Sequence, residues 1–263
     1  MPYADTGRIS LYYDDFGSEN AAPGAPPILL LHELGGSSES WAQVIPLLAA
    51  YRRVIAVDLR CAGRSEKPPG EFTMGDVADD LAAFAGALAL PALDVLGAAL
   101  GSLAGALLAI HHPARVARLM MCAVAPDMAG PTRQYVAERA EKVRTIGMRG
   151  VVDASLANSF PAAHAAARAA YRGLYLANDP AAYAELSLAL ARLALSAADW
   201  GRIAAPTLVA PGAHDFLWPP AIGEQVARLV PGARFEILAD AGHFPHLQAP
   251  ASLARLALGC FAR

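Results

Sequence analysis

Cysteine is scarce in this chain of 263 residues: only Cys61, Cys122 and Cys260 occur, far apart, odd in number and without a CxxC pair. That spacing excludes a disulfide framework and a thiolate zinc site. A reducing, cytoplasmic setting is the expectation. Net charge is lacking too, with 21 basic residues against 24 acidic ones, a formal −3. Scattered charge of this kind gives no field to gather nucleic acid or an anionic membrane, so neither is an expected partner. Residues up to Tyr13 include Asp5 and Arg8 and hold no apolar stretch of signal-peptide length, so export is not expected. The one long apolar stretch, Leu81–Ile110, carries Asp94 as its only charge, but Pro91, Asp94 and the glycines at 97, 101 and 105 divide it. It reads as a helix end, a buried strand and a second buried helix.

What the chain does contain is alternation. Short apolar runs suited to strands buried on both faces, Ile9–Asp14, Ile28–His32, Val54–Asp58, Leu93–Gly97 and Arg118–Val124, are separated by stretches with helical spacing near Trp41–Ala50, Met74–Leu90 and Leu100–His112. That order predicts an α/β fold with a mostly parallel sheet and helices on both faces. From Asp127 to Asp199 the chain becomes alanine-rich and helical, with Arg and Glu interspersed. Strand-like runs return at Pro206–Pro211 and Arg234–Leu238, with helices near Pro220–Leu229 and Ala251–Phe261. One core, residues 1–126 and 200–263, interrupted by a helical cap at 127–199, accounts for this pattern better than two independent domains.

The segment Leu93–Gly105, LDVLGAALGSLAG, runs from a strand through a glycine-flanked turn into a small-residue helix. Its frame is that of G-x-S-x-G, where the glycines permit a sharp turn that exposes the central side chain. Gly97 and Gly101 take the glycine positions, which places Ala99 where the nucleophilic serine is expected. A methyl group cannot attack a carbonyl. Asp215, in PGAHD after the strand-like Thr207–Ala210, and His243, in ADAGHFPH after Leu238, follow in the order acid then histidine. With a serine at 99, His243 would take the nucleophile's proton while Asp215 fixes its tautomer. The loop LLLHELGGSS after the strand Ile28–His32 is placed to supply the Leu34 N–H, which with the Leu100 N–H would form an oxyanion hole.

Together these segments resemble the α/β-hydrolase superfamily over nearly the whole chain, which implies an α/β-hydrolase fold with an inserted helical cap. Two positions depart from the family pattern. Glu33 stands where His-Gly-x-Gly has its first glycine, and Cys61 replaces a glycine in DLRCAGRS, Asp58–Ser65. Within the superfamily the chain is most similar to 3-oxoadipate enol-lactonases of bacterial aromatic degradation. The likeness lies in RAEKVRTIGMRGVVDA (Arg139–Ala154), NSF (Asn158–Phe160) and YRGLYLANDPAAY (Tyr171–Tyr183). It implies a small-molecule ester or lactone substrate, including one bearing carboxylates.

The intact remainder of the site favours a deliberate serine-to-alanine substitution at position 99, leaving a nearly inert serine-type hydrolase. A natural pseudo-hydrolase that binds a small molecule, or a lyase or isomerase using His243 as base, is the alternative. Ser102 lies about one helical turn beyond Ala99 and suits helix packing; Asp127 is an alternative acid to Asp215. His32 and His246 are expected to shape loops. His111, His112 and His164 fall at no metal-ligand spacing, so neither a metal nor a cofactor is expected. Glu33 is expected to face solvent, or else to meet the substrate at the pocket edge. Arg133, Tyr135, Arg144 and Trp218 are candidates for lining a cap-covered pocket, the arginines as forks for a carboxylate. Nothing in the sequence assigns an oligomeric state.

Overall fold

The computed structural model describes residues 2–128, 130–157 and 159–262, so Asn158 of the cap-like motif lies outside them, as do the outermost residues of the two expected core spans. In chain order, β1 (Tyr3–Asp5), β2 (Ser10–Phe16) and β3 (Ile28–Leu31) lead through a 3-10 turn at Ser38–Trp41 to α1 (Ile45–Ala49). Then come β4 (Val54–Val57), α2 (Met74–Ala87), β5 (Leu93–Ala98), α3 (Leu100–His111) and β6 (Val116–Cys122). Four helices follow: α4 (Pro131–Leu156), α5 (Ala165–Leu176), α6 (Pro180–Ala191) and α7 (Ala197–Trp200). The chain closes with β7 (Thr207–Val209), α8 (Pro220–Leu229), β8 (Arg234–Phe235), α9 (Pro245–Gln248) and α10 (Pro250–Phe261).

The sheet order is β1-β2-β4-β3-β5-β6-β7-β8, antiparallel at β1 and β2 and parallel from β4 to β8. Because strand side chains alternate between faces, each apolar run feeds two cores at once. Leu29, Leu31, Ile55, Val57, Val95, Leu119 and Met121 face the layer of α2, α3 and α8. Ile28, Leu30, Val54, Ala56, Leu96 and Met120 face α1 and α10. Local signals start the helices that cover them. Thr73 accepts from the Asp76 N–H while Asp76 answers to Thr73, Ser196 and Asp199 repeat this capping box at α7, and Asp179 caps α6 ahead of Pro180.

The structure alters several expected boundaries. β1 escapes sequence reading because three partly polar residues carry no periodicity; it exists through its ladder with β2, Tyr3 opposite Tyr12. The run Arg234–Leu238 forms only two residues of strand, and pairing resumes as a single Gly212–Leu238 bridge. Trp41–Ala50 splits into the 3-10 turn and the short α1. Between β6 and β7 the described residues form helices and no strand, with α4 broken at Gly147, whose φ of 67° and ψ of 177° lie outside helical geometry. These helices share an apolar core of Val143, Met148, Val152, Leu156, Tyr171, Tyr175 and Tyr183, which reaches Phe244 beside His243. Among the described residues no helix is long and apolar enough to cross a membrane.

Candidate active site

Every parallel strand delivers its C-terminal end to the same edge of the sheet, the edge at which open α/β sheets present ligand sites. β5 ends there at Ala98, and Ala99 turns the chain into α3 with φ 49° and ψ −111°. The close approach of strand and helix explains the two flanking glycines. A Cβ on Gly97 would come within 2.4 Å of the Gly101 oxygen, and one on Gly101 within 2.0 Å of the Leu31 oxygen. The turn is held by the Ala99 N–H donating to the Cys122 oxygen at 2.8 Å, and by Ser102, whose hydroxyl contacts the Gly97 and Cys122 oxygens. Ser102 is thereby fully occupied in packing α3 against the sheet.

A left-handed backbone at a residue with a Cβ costs roughly 1–3 kcal/mol. Ala99→Gly is therefore expected to stabilise the protein by about 1 kcal/mol, the relief of strain outweighing the extra freedom glycine gives the unfolded chain. Denaturant titration checks this; a loss of stability would show that the turn imposes no strain on alanine.

Asp215 and His243 follow β7 and β8. The Asp215 carboxylate accepts the N–H groups of Leu217 and Trp218, both at 2.9 Å, and meets His243 Nδ1 at 2.9 and 3.0 Å. A carboxylate so placed makes Nδ1 the donor and leaves Nε2 as the acceptor available for chemistry. The His243 ring is braced by Phe244 and Trp218, at 4.8 and 5.3 Å between ring centres. Gln248 holds the same loop by accepting from Gly242 and Phe244 N–H and donating to the Ser159 oxygen. Asp127, the alternative acid, is exposed, and His243 pairs with Asp215.

Ala99, Leu100, Leu34, Glu33 and His243 line one cavity of about 330 Å³, roofed by α4 and α5 and flanked by Tyr135 and Trp218. Neither the Leu34 nor the Leu100 N–H has a partner among the described residues. Three expectations need correction. Glu33 does not face solvent: it is fully buried, its carboxylate accepting from Ser40 Oγ at 2.9 Å and pairing with His246 Nε2 at 2.8 Å. Burial by itself would raise this carboxyl, but the charge and hydrogen bond of His246 outweigh it and hold Glu33 down at about 2. Arg133 is exposed and outside the cavity, with its Nε on the Met128 oxygen. Arg144 is outside it as well, spent on Glu141 and Glu185 at 2.8 and 2.6 Å.

The cation that does reach the cavity is Arg139. It lies with its Cζ 5.2 Å from the Tyr135 ring centre and 5.8 Å from that of Tyr183. Its Nε is buried without a hydrogen-bond partner, and no carboxylate pairs with it among the described residues. Thr132, Tyr135, Val136 and Arg139 all line the cavity. Their i, i+3, i+4, i+7 spacing is one helix face, and that phase was the sequence signal separating Arg139 from Arg133. Tyr175 also lines the wall, its hydroxyl 2.8 Å from that of Tyr183 and 3.0 Å from Ser155 Oγ. His32 supports the Leu34 loop from below: Nε2 accepts the Leu59 N–H at 3.0 Å, so Nδ1 donates to the Glu33 oxygen. No cluster of three or more His, Cys, Asp or Glu suited to a metal ion occurs among the described residues.

A family model described as "alpha/beta hydrolase fold" matches residues 26–250. Among curated proteins, "Putative carbamate hydrolase RutD" of Caulobacter segnis is 30% identical over 227 residues, 84% of this chain and 85% of that protein. The protein of the same name from Variovorax paradoxus is 32% identical, covering 82% and 84%. Among solved structures, the enol-lactonase from Burkholderia xenovorans LB400 superposes with a TM-score of 0.92 at 28% identity over 100% of both chains. A thermophilic esterase from Thermogutta terrifontis, with malate bound, gives 0.87 at 27% identity over 94% and 91%.

Proposed function

The chain belongs to the alpha/beta hydrolase family, and on that footing we propose that its cavity is the site of a carboxylic ester or lactone hydrolase acting through residue 99, His243 and Asp215. The reading rests chiefly on the convergence of the Ala99 turn, the His243–Asp215 pair and two unpartnered N–H groups on one cavity. With serine at 99, His243 Nε2 takes the hydroxyl proton as the oxygen attacks the carbonyl carbon. The carbonyl π electrons move onto oxygen, where the Leu34 and Leu100 N–H groups receive them. Collapse expels the alcohol or ring oxygen with the proton from His243, leaving an acyl-enzyme that water discharges by the same steps. With alanine at 99 the first bond cannot form, and the chain binds its substrate nearly without turnover. No cofactor enters this scheme.

Arg139 narrows the substrate. Arg139 is half-buried, with its Nε enclosed and unpartnered, and a carboxylate on the ligand would supply both a counter-charge and the missing acceptor at Nε. The substrate is therefore an ester, lactone or carbamate that carries a free acid. Assays of the Ala99→Ser protein on matched acid-bearing and neutral compounds test this. Arg139→Met is expected to lower kcat/KM roughly 10- to 100-fold on the acids, the scale of one charge-assisted contact, and to leave neutral esters within about threefold. Equal losses on both sets would remove Arg139 from recognition.

Ala99 itself favours a second reading, in which the unaltered chain is a small-molecule binding protein or a lyase or isomerase with His243 as base. Turnover of an acid by the unaltered chain that His243→Ala abolishes would select it over the hydrolase.

A further inference from the structure

We propose that Glu33 is a positioning residue whose buried carboxylate locks the loop carrying the Leu34 N–H to the loop carrying His243. The proposal rests on the roles given to those two groups above. Glu33 is joined by a peptide bond to Leu34, and its side chain reaches across the fold to His246, three residues beyond His243. Both partners are fully buried, and their contact joins the two loops directly. The other carboxylate oxygen accepts from Ser40 and closes the 33–40 loop on itself.

The loop is wrapped tightly around this group. A Cβ on Gly36 would sit 2.1 Å from Glu33 Oε1 and 2.5 Å from Ser40 Oγ, so the position tolerates no side chain while the carboxylate is there. The roof is tied in as well, since the Tyr171 hydroxyl lies 3.4 Å from the Leu34 oxygen and burial together with Glu33 raises its pKa. With both oxygens engaged by Ser40 and His246, Glu33 is committed to the frame rather than aimed at the position where negative charge develops. A misplacement near 1 Å of an active-site group is enough to cost on the order of 10²-fold in rate.

The first test needs no turnover. In the unaltered protein, the low-field proton on His243 Nδ1 is followed by NMR in Glu33→Ala and Glu33→Gln, with circular dichroism and thermal melting beside it. The expected result is that Glu33→Ala shifts or loses this resonance while the protein stays folded, and that Glu33→Gln, which keeps the shape and an acceptor, retains it. If Glu33→Ala does not fold, Ser40→Ala removes one partner of the carboxylate and is expected to shift the same resonance by less. In the Ala99→Ser background, Glu33→Ala is expected to lower kcat roughly 10²-fold with KM within about threefold, and Glu33→Gln to recover most of the loss. A resonance unmoved in every folded variant, with only the melting temperature lowered, would reduce Glu33 to core support and overturn the proposal. If Ala99→Ser shows no turnover yet the His243 proton responds to Glu33→Ala, the hydrolase reading fails and the positioning role stands.

Discussion

Replacing Ala99 with serine is expected to raise turnover of an acid-bearing ester or lactone by about 10⁶-fold, and His243→Ala in that background is expected to remove nearly all of the gain. The size is that of a nucleophile lost from a serine hydrolase, roughly 8 kcal/mol of transition-state stabilisation. Here the change should act in one step because the rest of the arrangement already stands. The turn holds residue 99 at φ 49° and ψ −111°, a geometry serine adopts at about the same cost as alanine. His243 Nε2 is left free by the Nδ1 contact to Asp215 at 2.9 Å. The residue is also 94% buried, against a cavity of about 330 Å³, so its hydroxyl would meet a substrate shielded from bulk water. Single-turnover assays with and without His243 check the prediction. A serine protein no faster than the alanine protein on every acid-bearing ester, lactone and carbamate would mean that the cavity serves binding or proton transfer.

The sequence carried the sheet well where strands are buried on both faces, because runs such as Ile28–Leu31 and Val54–Val57 leave no polar position for a helix to expose. It missed β1 and overran β8, whose two or three residues are strands by virtue of their neighbours. Site residues held by local backbone chemistry were legible: the Gly97–Ala99–Gly101 turn, and Asp215 and His243 in glycine-containing loops after strands. Residues whose place depends on tertiary packing were not. Glu33 looks like a solvated loop acid until His246, 213 positions away, closes on it. Arg139 differs from Arg133 and Arg144 only in helical phase, and that phase acquires meaning once the side of α4 facing the cavity is known. The charges of the two misassigned arginines are used otherwise, Arg144 by Glu141 and Glu185, Arg133 by the Met128 oxygen.

At the opposite end of β5 from Ala99, Asp94→Ala is expected to cost about 3–5 kcal/mol of stability, a fall of roughly 6–20 °C in melting temperature for a chain of this size. Asp94 is fully buried and accepts from two arginines: Arg52 Nη2 at 2.6 Å, and Arg118 through Nε at 2.7 Å and Nη2 at 2.9 Å. Arg52 also donates to the Phe261 and Pro26 oxygens, so one carboxylate ties β5 and β6 to the end of α10 and the connection before β3. Removing it leaves the mostly buried Arg52 guanidinium without the carboxylate it faces and takes one partner from Arg118. Such a gap costs far more than the intact cluster contributes, because the desolvation of Arg52 then loses its compensating charge. Asp94→Asn keeps the shape but not the charge and is expected to fall between wild type and alanine. Since residue 99 follows the other end of β5, four residues of strand, Val95–Ala98, separate the damage from the cavity. In the Ala99→Ser background the folded fraction of Asp94→Ala should therefore keep its KM, and its loss of activity should follow its loss of folded protein. A KM that moved at temperatures where the variant is fully folded would show that β5 transmits the disturbance along its length, and that the charge cluster sets the position of the turn as well as the stability of the sheet.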